Sequence, residues 1–356
     1  MIPLIFSFIA SAFFIWSFSY VFRYLGLVDK PNERKKHQGE IPLVGGISIY
    51  STLCSLFLFG FIEIPNQETY LVSCGVLVLL GIIDDKFDLN ASIRLIVIAV
   101  LPVWLVFSEN ILFEDLGDLY GFGDVYLQSS SILFTVIAVI ASIVSLNMLD
   151  GSDGVLGTVT SILMLSLSYL FFIRNEELLL ELCLIVVAAI IPFMIVNLFS
   201  LPPFKTKVFM GEAGSTLLGF TLIWLLLHAT QASLSSSSQV MIKPSNALWL
   251  MGLPIMDMAA VILRRCTNKC SPFKADRTHI HHLCLDLGFN SWQTLLFISS
   301  MAFCFSIIAM WAEVNGIRES VMLFSFVFLF VIYYQLVCKV DFFIKSKDLN
   351  DYDVIN

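Results

Sequence analysis

Acidic side chains gather where long apolar segments of this chain end. The first group is Asp84-Asp85-Lys86-Phe87-Asp88, in which three carboxylates lie within five residues. Such carboxylates repel one another unless a cation neutralises them, and oxygen ligands suit Mg²⁺ or Mn²⁺. A solvated helix end is the alternative for this motif taken alone. The spacing makes the group a candidate metal or phosphate site.

Two further segments combine acidic side chains with glycines. In the segment from Asn147 to Gly154, a helix that continued to Asp150 would place an amide and a carboxylate on one face, where they could hydrogen-bond a nucleotide. Asp153 follows in the same segment, and a plain Asp-Gly turn is the alternative. Glu212 begins a later apolar segment, where the helix dipole favours a carboxylate and nearby glycines leave room for a phosphate or metal.

Three of the five histidines lie within four residues, as His279, His281 and His282. A run of this kind contacts phosphate, transfers protons or binds a metal. Three cysteines nearby raise a zinc alternative, although their spacing fits no standard zinc pattern: Cys266, Cys270 and Cys284.

Two other features carry charge. The loop of residues 29–37 is basic enough to attract anionic lipid or a diphosphate, although the usual basic bias of cytosolic loops also explains it. Asp257 lies inside an apolar segment, seven residues before Arg264. A carboxylate inside a membrane span is a functional candidate by default.

The segments that position these residues are membrane spans. The 356 residues are 58% hydrophobic and 13% charged, and the mean hydropathy is +0.88, outside the range of soluble domains. Because a span needs about 20 apolar residues, we expect one all-α membrane domain over residues 1–356. Its eleven predicted spans are 2–22, 41–62, 69–83, 93–108, 131–148, 155–173, 179–199, 213–229, 246–263, 293–312 and 319–338.

The positive residues predict which loops face the cytosol. One set of loops holds 16 lysines and arginines, the opposite set holds 3, and Arg94 lies at a span edge. Basic loops face the cytosol, which places the N-terminus in the periplasm and the C-terminus in the cytoplasm. The candidate residues then share the cytosolic face, in loops 23–40, 84–92, 149–154, 200–212 and 264–292. We find no internal repeat typical of a secondary transporter, which is the alternative class.

Taken together, the motifs resemble the polyprenyl-phosphate N-acetylhexosamine-1-phosphate transferase family. The resemblance covers nearly the whole chain, from Val28-Asp-Lys-Pro-Asn and Ile41-Pro-Leu-Val-Gly-Gly to the histidine run. It implies transfer of N-acetylglucosamine 1-phosphate from UDP-N-acetylglucosamine to undecaprenyl phosphate, with release of UMP, in the bacterial inner membrane. It also implies Mg²⁺, with Mn²⁺ possible, a place in O antigen or enterobacterial common antigen synthesis, a possible homodimer and no nucleic acid.

The resemblance also implies roles for individual residues. The residues implied in catalysis are Asp84, Asp85, Asp150, Asp153, His279, His281 and His282. The residues implied in metal binding are Glu212, Asp84 and Asp85. The residues implied in substrate binding are Asp29, Lys30, Asp88, Asn147, Asn197, Phe209, Arg264 and Arg265.

One position departs from the family pattern, which has aspartate where this chain has Glu212. The extra methylene displaces the carboxylate by roughly 1 Å. Two questions stay open at this point. The donor could be another UDP-N-acetylhexosamine or the muramoyl-pentapeptide nucleotide, and transfer could proceed by direct attack or through a covalent aspartyl intermediate.

Overall fold

The computed structural model describes residues 1–30, 39–199, 207–234, 240–271 and 278–355. Most of the basic loop after Lys30 and the residues just before Thr278 lie outside these ranges. The helices, with a short 3₁₀ turn at Gln128–Ser130, are α1 Ile2–Leu25, α2 Gly45–Leu58, α3 Gln67–Phe87, α4 Ala91–Glu109, α5 Ser131–Leu149, α6 Val155–Arg174, α7 Glu177–Phe199, α8 Gly211–Thr230, α9 Pro244–Leu250, α10 Gly252–Thr267, α11 Ile280–Asp286, α12 Ser291–Val314 and α13 Glu319–Ile355.

The described helices are those of a polytopic membrane protein. Eight are long and apolar enough to cross a membrane, and nine if α9 and α10 together form one bent span. Each of the eleven predicted spans overlaps a helix, but α2 has only 14 residues and α3 is not among the eight. The helical membrane class is therefore confirmed, whereas eleven crossings and the orientation of the termini stay predictions.

The predicted span over residues 246–263 consists of two helices, α9 and α10, instead of one straight helix. The chain bends by 76° between α9 and α10, at Met251. Pro254 lies in the first turn of α10, where a helix tolerates proline because its missing N–H has no intrahelical partner there. A new helix can therefore begin at Gly252 in a new direction.

Helix α8 forms the centre of the bundle. Every residue from Ala213 to Thr230 is buried, and the helix packs against α2, α3 and α5. A helix that is apolar on all sides is expected inside a bundle. Gly81 of α3 permits a very close approach, because a β-carbon there would overlap the backbone of Ala213. This contact brings the acidic end of α3 to the first turn of α8.

A small sheet accompanies the helices, which the all-α prediction did not include. Strand β1, Val28–Asp29, pairs antiparallel with β2, Ile41–Pro42, and Leu43 forms a parallel bridge with Phe209. The N–H of Phe209 donates to the carbonyl of Pro42 at 3.0 Å. The segment that leads into α8 is thereby fixed to the residues before α2.

Candidate functional site

Glu212, in the first turn of α8, meets the acidic end of α3. Its backbone N–H donates to both carboxylate oxygens of Asp85, at 3.1 Å each. The N-terminus of a helix stabilises negative charge through its free N–H groups and its dipole. The carboxylate of Asp85 is thus held at the N-terminus of α8, by a residue 127 positions away.

Negative charge is concentrated around Asp85, which lies beyond the predicted third span. Burial raises the pKa of Asp85 to about 8, and the charges of Glu212, Asp84 and Asp150 act in the same direction. The hydrogen bond from the N–H of Glu212 acts against them. Because desolvation and like charges both disfavour the carboxylate, a bound cation would stabilise its ionised form.

Arg94, in the first turn of α4, is a site residue to which the sequence analysis gave no role. Its Nη1 lies 2.7 Å from Oδ2 of Asp84 and 3.5 Å from Oε2 of Glu212. Asp84 also accepts the N–H of Leu89 at 2.8 Å. The sequence did contain a signal for this role, because Arg94 follows Asp84 by ten positions and lies at the start of the next span. Arg94 is the cation that accompanies these carboxylates.

Asn147 joins the cluster from the last turn of α5. Its Nδ2 donates to Oε2 of Glu212 and, at 3.1 Å, to Oγ of Ser215. Helix α5 ends at Leu149, with Asp150 as its C-cap, so the expected helix face shared by Asn147 and Asp150 is not formed. Asn147, for which the resemblance implies substrate binding, lies against Glu212, for which it implies metal binding, and both roles stay predictions.

These residues fit a Mg²⁺ ion that is shared with a substrate. Among the described residues, no three histidine, cysteine or acidic side chains are arranged to hold a metal by themselves. Mg²⁺ commonly takes one or two protein carboxylates, and water and substrate phosphates complete its six ligands. The carboxylate of Glu212 is a suitable oxygen ligand, and so is the amide oxygen of Asn147, whose Nδ2 contacts that carboxylate. The carboxylate of Asp85 accepts the backbone N–H of Glu212.

A second polar group connects the turn after α5 to the segment before α8. Lys207 forms an ion pair with Asp153, and Asn197 donates to the carbonyl of Val208 at 2.8 Å. Phe209 follows in the bridge to Leu43. Asp153, with a role implied in catalysis, and Asn197, with a role implied in substrate binding, therefore both contact the short stretch that leads to Phe209.

The histidine run reaches the same turn. The ring of His281 lies against Gly151, and the rings of His279 and His281 are parallel with centroids 5.9 Å apart. His282 follows, with its centroid 4.1 Å from that of His281. The histidines are thus next to the segment that contains Asp150 and Asp153.

The remaining predicted substrate residues occupy varied positions. Arg264 and Arg265 are both buried, and Nη2 of Arg264 donates to the carbonyl of Thr278 at 2.5 Å. Lys30 is exposed and lies 3.3 Å from Glu40. Asp29 lies in β1, and Asp88 is the exposed C-cap of α3. Their roles stay predictions.

A cavity of about 120 Å³ opens between α3, α4, α5 and α8. Its apolar lining includes Leu80, Leu95, Ile98, Ile143, Val144 and Met148. Its polar lining includes Asp84, Arg94, Asn147 and Glu212, all from helix ends on one side of the bundle. The cavity therefore offers an apolar wall that ends in charged groups.

This fold and this site define a multi-pass membrane protein with a carboxylate-rich centre beside an apolar cavity. Residues 68–230 match the profile of glycosyl transferase family 4. The chain is 39% identical over 329 residues to an undecaprenyl-phosphate alpha-N-acetylglucosaminyl 1-phosphate transferase of Escherichia coli O157:H7, covering 92% of this chain and 88% of that one. The chain is also 35% identical over 312 residues to the Haemophilus influenzae protein of the same name, and the match covers 87% of this chain and 86% of that one. The chain belongs to glycosyl transferase family 4.

Proposed function

We propose that this protein transfers N-acetylglucosamine 1-phosphate from UDP-N-acetylglucosamine to undecaprenyl phosphate, releasing UMP. The names of the relatives give transfer of N-acetylglucosaminyl 1-phosphate with undecaprenyl phosphate, and the nucleotide donor and UMP release are part of our proposal. The observation that carries the proposal is the charged end of an apolar cavity, where Asp84, Arg94 and Glu212 meet. A phosphorylated lipid has the matching chemistry, an apolar chain that ends in an anion.

The chain's own residues act chiefly by positioning and by balancing charge. Arg94 is placed to receive the acceptor phosphate, with Asp84 holding the guanidinium in orientation. Glu212 and Asn147 would hold Mg²⁺, and the ion would supply positive charge to offset that of the donor diphosphate and of the UMP leaving group. Lys207 and the histidine run adjoin the turn at Asp150 and Asp153, where the donor diphosphate would lie.

Direct attack by the lipid phosphate is the preferred route. The acceptor is already an anionic nucleophile, so the reaction needs alignment more than activation. A P–O bond forms to the β-phosphorus of the donor while the bond to UMP breaks. A covalent aspartyl route predicts that protein incubated with labelled donor, but without lipid, retains labelled sugar phosphate; retention would overturn direct attack.

The site faces the cytosol of a bacterial inner membrane in this proposal. Nucleotide sugars are cytosolic, and the helix ends that converge on Glu212 belong to the basic set of loops. Eleven crossings place the N-terminus in the periplasm. We propose that the product feeds a cell-envelope polysaccharide of the O antigen or enterobacterial common antigen type.

The test is an assay on the full-length protein in detergent. Undecaprenyl phosphate and Mg²⁺ are supplied with UDP-N-acetylglucosamine, UDP-N-acetylgalactosamine or UDP-N-acetylmuramoyl-pentapeptide, and UMP is measured. We expect release with UDP-N-acetylglucosamine that requires both lipid and metal. Preference for another donor would change the substrate, and no UMP from any donor would overturn the proposal in favour of a transporter.

A further inference from the structure

Asp257 is a buried carboxylate that the proposed reaction does not yet use. Its side chain lies within α10, and the residue is 2% exposed. It accepts the hydroxyl of Tyr333 at 2.9 Å and the N–H of Ile280 at 3.0 Å, and its Oδ2 lies 2.9 Å from Nδ1 of His279. Three donors from α13 and the start of α11 thus converge on one carboxylate, which suits its ionised, acceptor-only form.

Two residues of α10 hold the backbone on both sides of His279. Asp257 and Arg264 are seven residues apart, about two helical turns, and so lie on one face. Arg264 binds the carbonyl of Thr278, which precedes His279, and Asp257 binds the N–H of Ile280, which follows it. Helix α10 therefore determines where the histidine run begins.

The same carboxylate determines the state of the His279 ring. An ionised carboxylate accepts a hydrogen bond, so the proton of a neutral imidazole is placed on Nδ1 and the lone pair on Nε2. The ring is parallel to that of His281, which lies against Gly151. A continuous series of contacts leads from Asp257 through the histidines to the acidic turn after α5.

We propose that Asp257 is a positioning residue, which sets the orientation and tautomer of His279 and through it aligns the histidine run with the donor diphosphate. The inference rests on the proposed transfer reaction. A carboxylate that fixes the tautomer of an active histidine has effects on turnover well beyond its effect on stability.

The test is Asp257→Asn in the UMP-release assay. Asparagine has the same shape and still accepts from Ile280 and Tyr333, but its amide N–H faces Nδ1 and forces the other tautomer. We expect kcat to fall at least about tenfold, with the KM for UDP-N-acetylglucosamine changed less than about threefold. The matched control is Tyr333→Phe, which removes a different donor from the same carboxylate and should keep kcat within about threefold.

A double-mutant cycle with His279→Ala separates positioning from general damage. If Asp257 acts through His279, adding Asp257→Asn to His279→Ala causes no further loss of kcat. The inference would be overturned if the double variant lost kcat by the product of the two single losses, or if Asp257→Asn kept the kcat of wild type. If Asp257→Asn does not fold, Asp257→Ser, whose smaller side chain fits within the same space, is tested in the same cycle. Wild-type protein that releases no UMP would instead refute the proposed function itself.

Discussion

The imidazole of His281 lies so close to the α-carbon of Gly151 that a β-carbon at that position would overlap the ring. The two residues are 130 positions apart, and each belongs to a different candidate motif. The backbone conformation of Gly151 is one that any residue can adopt, so conformational freedom is not the reason for glycine here. Glycine is required because a larger side chain would leave no room for the imidazole of His281. This contact joins the histidine run to the acidic turn that contains Asp150 and Asp153.

Gly151→Ala should therefore impair catalysis more than stability. The added methyl pushes the imidazole of His281 away, and displacements of about 1 Å at a reacting centre cost up to about a hundredfold in rate. We expect kcat to fall at least about tenfold with a melting temperature close to that of wild type. The control is Gly157→Ala in α6, whose methyl would meet the flexible side chain of Met194 and, in ordinary contact at 3.4 Å, that of Ile190. Equal kcat values for the two variants would contradict the prediction.

Arg94→Ala should weaken use of the lipid acceptor. The substitution removes the cation next to Asp84 and leaves that buried carboxylate without its ion pair. We expect kcat/KM for undecaprenyl phosphate to fall at least about a hundredfold, because a charged hydrogen bond is worth roughly 1.5–3 kcal/mol and charge balance is lost as well. Arg94→Lys should recover part of the activity.

The comparison for Arg94→Ala is Lys86→Ala, which removes an exposed cation at the end of α3. We expect it to stay within about threefold of wild type, as is usual for exposed charges. If Arg94→Ala raised only the KM for UDP-N-acetylglucosamine, Arg94 would belong to the donor site instead.

Glu212→Ala should abolish turnover that depends on Mg²⁺. The substitution removes the carboxylate that Asn147 contacts and that we propose as a metal ligand. Glu212→Asp restores the residue of the family pattern but draws the carboxylate back by roughly 1 Å. We expect this variant to retain activity and to need a different Mg²⁺ concentration for half-maximal rate. The measurement is UMP release across a Mg²⁺ titration, with Glu68→Gln at the opposite, exposed end of α3 as the control.

Unchanged Mg²⁺-dependent turnover in Glu212→Ala would remove Glu212 from the site. If Glu212→Ala lost its cooperative thermal unfolding together with its turnover, the loss of turnover could reflect misfolding. Glu212→Gln is therefore measured in parallel. Glutamine keeps the size of the side chain but lacks the negative charge, and it should be inactive while folded.

Glu313→Gln should lower stability without altering the kinetics of the folded protein. Its buried carboxylate accepts hydrogen bonds from the guanidinium of Arg174, the backbone N–H of Lys243 and the side-chain amide of Asn246. These bonds connect the ends of α6 and α12 to the start of α9. We expect a loss of about 1–3 kcal/mol, seen as a lower melting temperature in detergent. The KM values should be unchanged, because this cluster lies at the opposite end of these helices from Glu212. A change in KM would show coupling between the two ends.

Local sequence features were sufficient for the helices and for the choice of site motifs. Apolar segments of about 20 residues predict helices wherever they occur, because lipid leaves backbone groups no partners outside the segment. The bend at Met251 was missed since the apolar pattern runs across it unchanged. The small sheet was missed because strands of two residues carry no periodicity.

The partners within the site could not be read from the sequence. Asn147 and Glu212 are 65 residues apart, and His279 and Asp257 are 22 apart, and neither pair shares a helix. Arg94 looked like an ordinary basic residue at a span edge until the packing of α3 and α4 against α8 placed it beside Asp84.

By itself, the sequence determined that this is a helical membrane protein, which residues are candidates for its chemistry, and which family it resembles, because hydrophobicity and motif spacing are properties of the local chain. The tertiary structure alone decided which of those residues touch. Contact between distant segments depends on how closely buried helices can approach, and small residues such as Gly81 and Gly151 permit that approach only where a particular partner is packed against them.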